Sequence, residues 1–413
     1  MNRSVLYRLS LAGACCALAA TLQAQVIELR ATLSGQQEVP ATTATATGSA
    51  IMMYDVAANT FDLVVAIDGM SNTATASHIH EAPAGTNGGV VTNLGGEAAY
   101  TRTGNSLRAT FRNVTHGGDK LRLIQGGAYF NIHSAQFPGG EIRGQLMPQP
   151  VRLYANLDVA QEQAAFPAVN LSGLNNFGAA LLVYEPAENM ISLRASLFNF
   201  RNTFTNSHIH EGAPGVSGPV RTNLGNNANA GAYSSANGMI SGAHEHLAFV
   251  GDPLVLLAGR MYLNYHSSTF PGGELRGQIR VSTESPTSRF ANLAVRGFVG
   301  PGDQTLIGGI VITGTEPVKV LVTAKGPSLT AFGVSGALAN PRLALFDSGG
   351  REVAANDDVG TVAAGSELAG LLGAPRNNLE SALVVVLPPG NYTAQVTAAT
   401  GTGIALLEVY DVR

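Results

Sequence analysis

Three blocks of this chain occur twice, in the same order and at nearly the same spacing. Ser77-His78-Ile79-His80-Glu81 returns 130 residues later as Ser207-His208-Ile209-His210-Glu211, and Thr92-Asn93-Leu94-Gly95 returns at that offset as Thr222-Asn223-Leu224-Gly225. Phe137-Pro138-Gly139-Gly140-Glu141-Ile142-Arg143-Gly144-Gln145 returns 133 residues later as Phe270-Pro271-Gly272-Gly273-Glu274-Leu275-Arg276-Gly277-Gln278. A period this long exceeds the roughly 20–50 residues of a solenoid unit, so each copy is a domain that folds alone. The copies are placed at 26–148 and 151–280. Met147-Pro148-Gln149-Pro150 between them is short and proline-stiffened, which sets the domains close together.

Inside each copy the pattern is that of strands. Leu29, Ala31 and Leu33 alternate with polar residues, as do Leu153, Ala155 and Leu157; Phe61 to Ile67 and Met190 to Leu197 read the same way. Turn clusters recur throughout and no window carries a helical period. With glycine at 49 of 413 residues, there is ample supply for tight turns and bulges. The histidines stop after the second copy, and a new run of strand candidates begins: Leu306 to Thr313, Val318 to Ala324, Pro341 to Phe346, Ala382 to Leu387, Tyr392 to Val396 and Ile404 to Tyr410. Leu368 to Leu372 reads as a short helix or a loop. The expected fold is all-β: three antiparallel β-sandwich or flattened Greek-key barrel domains in tandem, the third at 288–413.

Residues 1–25 are expected to be a secretory signal peptide. Arg3 and Arg8 precede the apolar run Leu9 to Leu22, which is too short to span a membrane. Cys15 and Cys16, the only cysteines, lie inside it. Their adjacency raises a lipidation reading, against which stands Ala12-Gly13-Ala14 with no leucine at its first place. Without that segment the chain has no thiol chemistry and 22 basic against 28 acidic residues. Only Lys120, Lys319 and Lys325 are lysines, so the basic footprint of a nucleic-acid binder is missing.

All nine histidines lie in the repeats. Eight pair by position: His78 with His208, His80 with His210, His116 with His246, and His133 with His266; His244 is left over. Alternate residues of a strand share a face, so His78 and His80 point one way and Ile79 the other, as in the second copy. Tyr129, Asn131 and His133 share a face, as do Tyr262, Asn264 and His266. A third imidazole from a neighbouring strand completes a site suited to copper or zinc, and also to iron or nickel. The candidate ligands are therefore His78, His80, His133, His208, His210 and His266, with His116 and His246 as additional possibilities. Glu81 and Glu211 are candidate acceptors for ring N–H groups. The competing reading is a set of hydrogen-bonded histidines in a covered groove. The Phe-Pro-Gly-Gly-Glu segment reads as turn followed by strand. No Ser-His-Asp order, phosphate loop or paired carboxylates mark a catalytic set.

On Ser77 to Glu81, Asn131-Ile132-His133-Ser134 and Phe137 to Gln145, with their second-copy counterparts Ser207 to Glu211, Asn264-Tyr265-His266-Ser267 and Phe270 to Gln278, both repeats resemble the chordin-type CHRD domain. That resemblance implies an extracellular module and no particular reaction. Ser77 to Glu81 is also similar to the His-Val-His-Glu strand of copper-zinc superoxide dismutase, whose cysteines and His-Val-Gly-Asp segment are missing here. The third domain resembles β modules of bacterial secreted proteins in Gly326-Pro327-Ser328-Leu329 and Leu387-Pro388-Pro389-Gly390-Asn391-Tyr392-Thr393. Asp347-Ser348-Gly349-Gly350 and Asn356-Asp357-Asp358 resemble turn carboxylates of prepeptidase-type sandwiches, where oxygen ligands take calcium. Ordinary turn residues are the plainer reading. The expectation is a secreted, periplasmic or envelope-bound protein that binds an extracellular or cell-surface ligand without catalysis, and holds a transition metal. The alternative is a copper-dependent redox enzyme.

Overall fold

The computed structural model describes residues 26–167, 170–225, 233–236, 238–283, 292–362 and 366–412. The expected signal peptide and both cysteines lie outside the described residues, as does most of the stretch leading into the third domain.

The alternation read from the sequence decides which face of each strand is buried. In Val26–Ser34, Ile27, Leu29, Ala31 and Leu33 point inward while Arg30 and Thr32 stay exposed. Thr47–Asp55 pairs with it antiparallel, Leu29 opposite Met52, and Thr60–Asp68 follows with Phe61, Leu63, Val65 and Ile67 inward. The first copy is one ten-stranded sheet. Its hydrogen-bonded order is Gly89–Gly95, Ala74–Glu81, Ala128–Ser134, Ile142–Gln145, Val26–Ser34, Thr47–Asp55, Thr60–Asp68, Ser106–Thr115, Thr101–Thr103, with Met147–Pro148 beside Val26–Ser34. The sheet curls so that Ile79, Phe130, Ile132 and Ile142 meet Leu29, Met52 and Leu63 in one core. Each repeat is thus a single curled antiparallel sheet, and among the described residues its two end strands do not pair.

The second copy reproduces this sheet strand for strand. Its register shows where the copies differ in length. Leu153 faces Leu182 as Leu29 faces Met52, so the first strands are offset by 124 residues and the second by 130. Leu193 faces His244 as Leu63 faces Phe111, an offset of 133 on the later strand. Copy two therefore carries six extra residues between its first two strands and three more between Gly225 and Ile240. The helix Val159–Ala165, capped by Asp158, starts where copy one has the short turn Gly35–Gln37, so the six extra residues fall after Glu162, the counterpart of Glu38.

The third domain is a sandwich of two four-stranded sheets around its own core. Each strand expected there is present, joined by Asn292–Val299 and Glu352–Asn356. The undecided stretch near Leu368 is the one-turn helix Glu367–Gly370, capped by Ser366. This domain docks on the outer face of copy two. Val386 N donates to Ser196 Oγ at 3.0 Å, Asn156 Nδ2 donates to Thr315 O at 2.9 Å, and Phe198 is buried in the third domain's core. Glu367 accepts from Lys319 at 2.8 Å and from Arg194 at 3.3 Å.

Candidate metal centre

Strand pairing carries the histidines to one place. Ala74–Glu81 lies beside Ala128–Ser134 with His78 opposite Asn131, His80 opposite Tyr129 and Ala76 opposite His133. Ile79, Phe130 and Ile132 fill the core, so His78, His80, Tyr129, Asn131 and His133 share the other face. One ligand nitrogen from each of His78, His80 and His133 lies within 4.8 Å of the other two, and His208, His210 and His266 gather in the same way.

In two of the three rings of each cluster the other nitrogen is already engaged. His80 Nδ1 is 3.0 Å from Gly88 O, and His133 Nδ1 is 3.0 Å from Pro138 O. In copy two the matching distances, His210 to Gly218 and His266 to Pro271, are 2.9 and 3.0 Å. A carbonyl only accepts, so those Nδ1 atoms carry the hydrogen and their Nε2 lone pairs face the cluster. His80 Nε2 and His210 Nε2 are buried with no partner at all. His78 Nδ1 lies 3.3 Å from His133 Nε2, and His208 Nδ1 lies 3.0 Å from His266 Nε2. Tetrahedral bonds of about 2.0–2.1 Å place ligand nitrogens about 3.3 Å apart, so this edge already has the spacing of a ligand pair. The same distance serves a hydrogen bond between the rings.

Burial holds His78 and His80 below the ordinary histidine range, assisted by the neighbouring imidazoles. In copy two, burial and then His266 and His210 push His208 down to about 4, and burial lowers His210 and His266 as well. In these five rings burial favours the neutral form, the state a metal requires.

Each cluster has a support that sequence reasoning missed. The His80 ring stacks on Tyr129, centroids 4.9 Å apart and planes 6° apart, and the Arg143 guanidinium covers the far face at 3.9 Å. His210, Tyr262 and Arg276 repeat the stack at 5.0 and 3.4 Å. Gly88 closes it: its carbonyl meets His80 and its N–H donates to the Tyr129 hydroxyl at 3.1 Å. The second missed feature is a buried carboxyl beside each cluster, Glu38 and Glu162, 6 % and 1 % exposed. Their offset of 124 is that of Leu29 and Leu153, the signal that would have paired them.

Two sequence expectations change. His116 and His246 do not join either cluster among the described residues, and they do not match each other. His116 N donates to Asn59 O as Phe249 N donates to Asn189 O, and His116 packs edge-on to Tyr54 as Phe249 does to Tyr184. The three-residue insertion makes Phe249 the counterpart of His116. His246 matches Asn113, both at positive φ in a bulge, and its Nε2 lies 3.6 Å from Glu185. His244 takes the aromatic place of Phe111, edge-on to Tyr233. Glu81 and Glu211 accept from Asp119 N and from Arg221, so the ring N–H acceptors are backbone carbonyls. In the third domain, Asp347 accepts from Gly349 N, Arg351 N and the Arg351 guanidinium, all within its own turn.

Among the described residues, no helix is long and apolar enough to cross a membrane. No curated protein matches this chain. Among solved structures, the pre-peptidase C-terminal domain of a collagenase from Bacillus anthracis aligns at 14 % identity over 29 % of this chain and 89 % of that one, with a TM-score of 0.19. A score that low bears no weight on the third domain. The sequence model of the CHRD domain matches residues 29–146 and again 153–279. Those two matches cover the two curled sheets and more than half of the 413 residues, and the chain belongs to the CHRD domain family.

Proposed function

We propose that this chain is an exported, non-enzymatic binding protein, secreted or held in the periplasm or cell envelope. Each of its CHRD domains holds one copper or zinc ion on three imidazoles while the protein engages an extracellular or cell-surface ligand. The observation behind the metal reading is the duplicated cluster, in which the anchored rings leave His80 Nε2 and His210 Nε2 buried and partnerless. An unpartnered buried nitrogen costs about 1–3 kcal/mol, and a bound ion removes that cost. His80 and His133 would ligate through Nε2 and His78 through Nδ1, with closure needing at most about 1.5 Å of ring movement. The export reading rests on the basic, then apolar, segment 1–25.

Equilibrium dialysis of untagged protein is expected to find two ions per chain. His80→Ala and His210→Ala should each remove one, and the double variant both. Metal content unchanged in the double variant would refute the site. Three protein ligands leave one coordination position open, which favours copper-dependent redox chemistry as the second reading. Superoxide dismutation by the copper-loaded chain above the rate of free copper would support it.

A further inference from the structure

Beside each histidine cluster lies a carboxyl group that should not be there as an anion. Glu38 follows the turn Gly35–Gln37, and Glu162 sits on the helix Val159–Ala165. Asn131 Nδ2 donates to Glu38 Oε2 at 3.3 Å, but Glu38 Oε1 and Asn131 Oδ1 are both buried without a partner. Around Glu162, both carboxyl oxygens and Asn264 Oδ1 lack partners of good geometry. Two facing acceptors cannot satisfy each other unless one of them carries a hydrogen. The nearest cations do not supply it. Arg143 is engaged by the Tyr129 ring, Asn87 Oδ1 at 3.1 Å and Thr86 O at 3.0 Å. Arg276 stacks on Tyr262 and donates from Nη2 to the carbonyls of Ala213 and Val216, both at 2.9 Å, while its Nη1 is buried without a partner of good geometry. No ion pair links either arginine to its glutamate.

We propose that Glu38 and Glu162 are held as un-ionised carboxylic acids, each closing a two-hydrogen-bond ring with the side-chain amide of Asn131 or Asn264. We infer that each ring is a positioning device for the turn that anchors the third imidazole. One proton on the carboxyl supplies the missing donor and satisfies Glu38 Oε1 and Asn131 Oδ1 together. The ring lies directly under the turn. A Cβ added at Gly140 would sit 2.6 and 2.7 Å from the Glu38 oxygens and 2.8 Å from Asn131 Nδ2. At Gly273 it would sit 2.6 Å from both terminal atoms of Asn264 and against Glu162 Oε1. That turn, closed by Gly140 N donating to Phe137 O at 3.1 Å, carries the Pro138 carbonyl that meets His133 Nδ1. Burial lifts both carboxyls to about 7; Arg143 and Asn131 oppose it at Glu38, and Arg276 and Asn264 at Glu162. The consequence for metal affinity rests on the three-imidazole reading above. The protonation and the imidazole anchoring do not.

The test uses the full chain without metal. At about pH 6 ordinary side-chain carboxyls are ionised, so infrared spectra should show a carboxylic-acid carbonyl band from two groups per chain. Glu38→Gln and Glu162→Gln should each halve it and the pair abolish it. Absence of the band, or its survival in the double variant, overturns the protonation. The positioning role is read from the nitrogen shifts of His133. Glu38→Gln, whose amide can close the same ring, should keep the Nδ1–H tautomer; Glu38→Leu should lose it. An unchanged His133 in Glu38→Leu overturns that role while leaving the acids intact. Should Glu38→Leu not fold, unfolding against pH decides. A carboxyl raised in the folded state contributes stability that is lost as pH rises from about 4.5 through about 7. Replacing both glutamates by glutamine should flatten that slope, and an unaltered slope overturns the proposal.

Discussion

Replacing Gly140 by alanine, with the adjacent Gly139→Ala as its control, separates two neighbouring glycines that look equivalent in the sequence. Gly140 has φ +134°, a conformation L-residues rarely adopt, and its new methyl would meet three buried polar atoms below 3.0 Å. Gly139 has nothing within 4 Å of the same added atom. Backbone strain of about 1–3 kcal/mol adds to overpacking of about 1–3 kcal/mol. Glu38 and Asn131 are themselves buried, so their ends have little room to yield. The expected loss is about 2–6 kcal/mol for Gly140→Ala and under about 0.5 kcal/mol for Gly139→Ala. Urea unfolding read by tyrosine fluorescence suits a chain without tryptophan. With a slope of about 2 kcal/mol per molar, a loss of 3 kcal/mol moves the first domain's midpoint by about 1.5 M. Gly273→Ala and Gly272→Ala should repeat the contrast in the second domain, where φ is +137° and the outer glycine again meets nothing. Equal midpoints for Gly139→Ala and Gly140→Ala would refute the account of this turn.

His116→Phe, which copies the residue present at Phe249, should stabilise the first domain by about 1 kcal/mol because neither buried ring nitrogen has a partner of good geometry. Burial lowers the folded-state pKa of His116, so its contribution is present above the unfolded value near 6.5 and is lost as pH falls below it. The Phe variant should lessen that acid sensitivity in thermal melts. His116→Phe and His246→Asn should leave the metal content of dialysed protein unchanged; a lost ion would return those residues to the site. Tyr129→Leu should weaken metal binding in the first domain several-fold by titration while Tyr262 keeps the second intact, because the stack that orients His80 is gone.

Strand identity was legible where a strand has one wet face, as Ile27, Leu29, Ala31 and Leu33 show. The six clustered histidines were legible because duplication marks them and a two-residue period puts them on one side. The errors have physical causes too. His116 and His246 matched at an offset of 130, but loop length had changed upstream, and only hydrogen-bond register reveals that Phe249 is the counterpart. Glu81 and Glu211 were reasonable acceptors by proximity, yet the rings chose Gly88, Pro138 and their counterparts. A carbonyl has no side-chain identity, so sequence reading cannot nominate it. Glu38 lies far from His133 in sequence, and its role exists only because the first strand inserts beside Ile142–Gln145.

The two length changes between the copies have a practical use. Six residues were accommodated between the first two strands and three between Gly225 and Ile240, while the histidine clusters kept their distances to within a few tenths of an ångström. Those loops are therefore permissive graft points on an otherwise unyielding frame. A foreign peptide spliced into the shorter loop of copy one, after Pro40 and before Thr47, is displayed where lengthening has a natural precedent. A tandem of two such frames offers two display positions in a single chain.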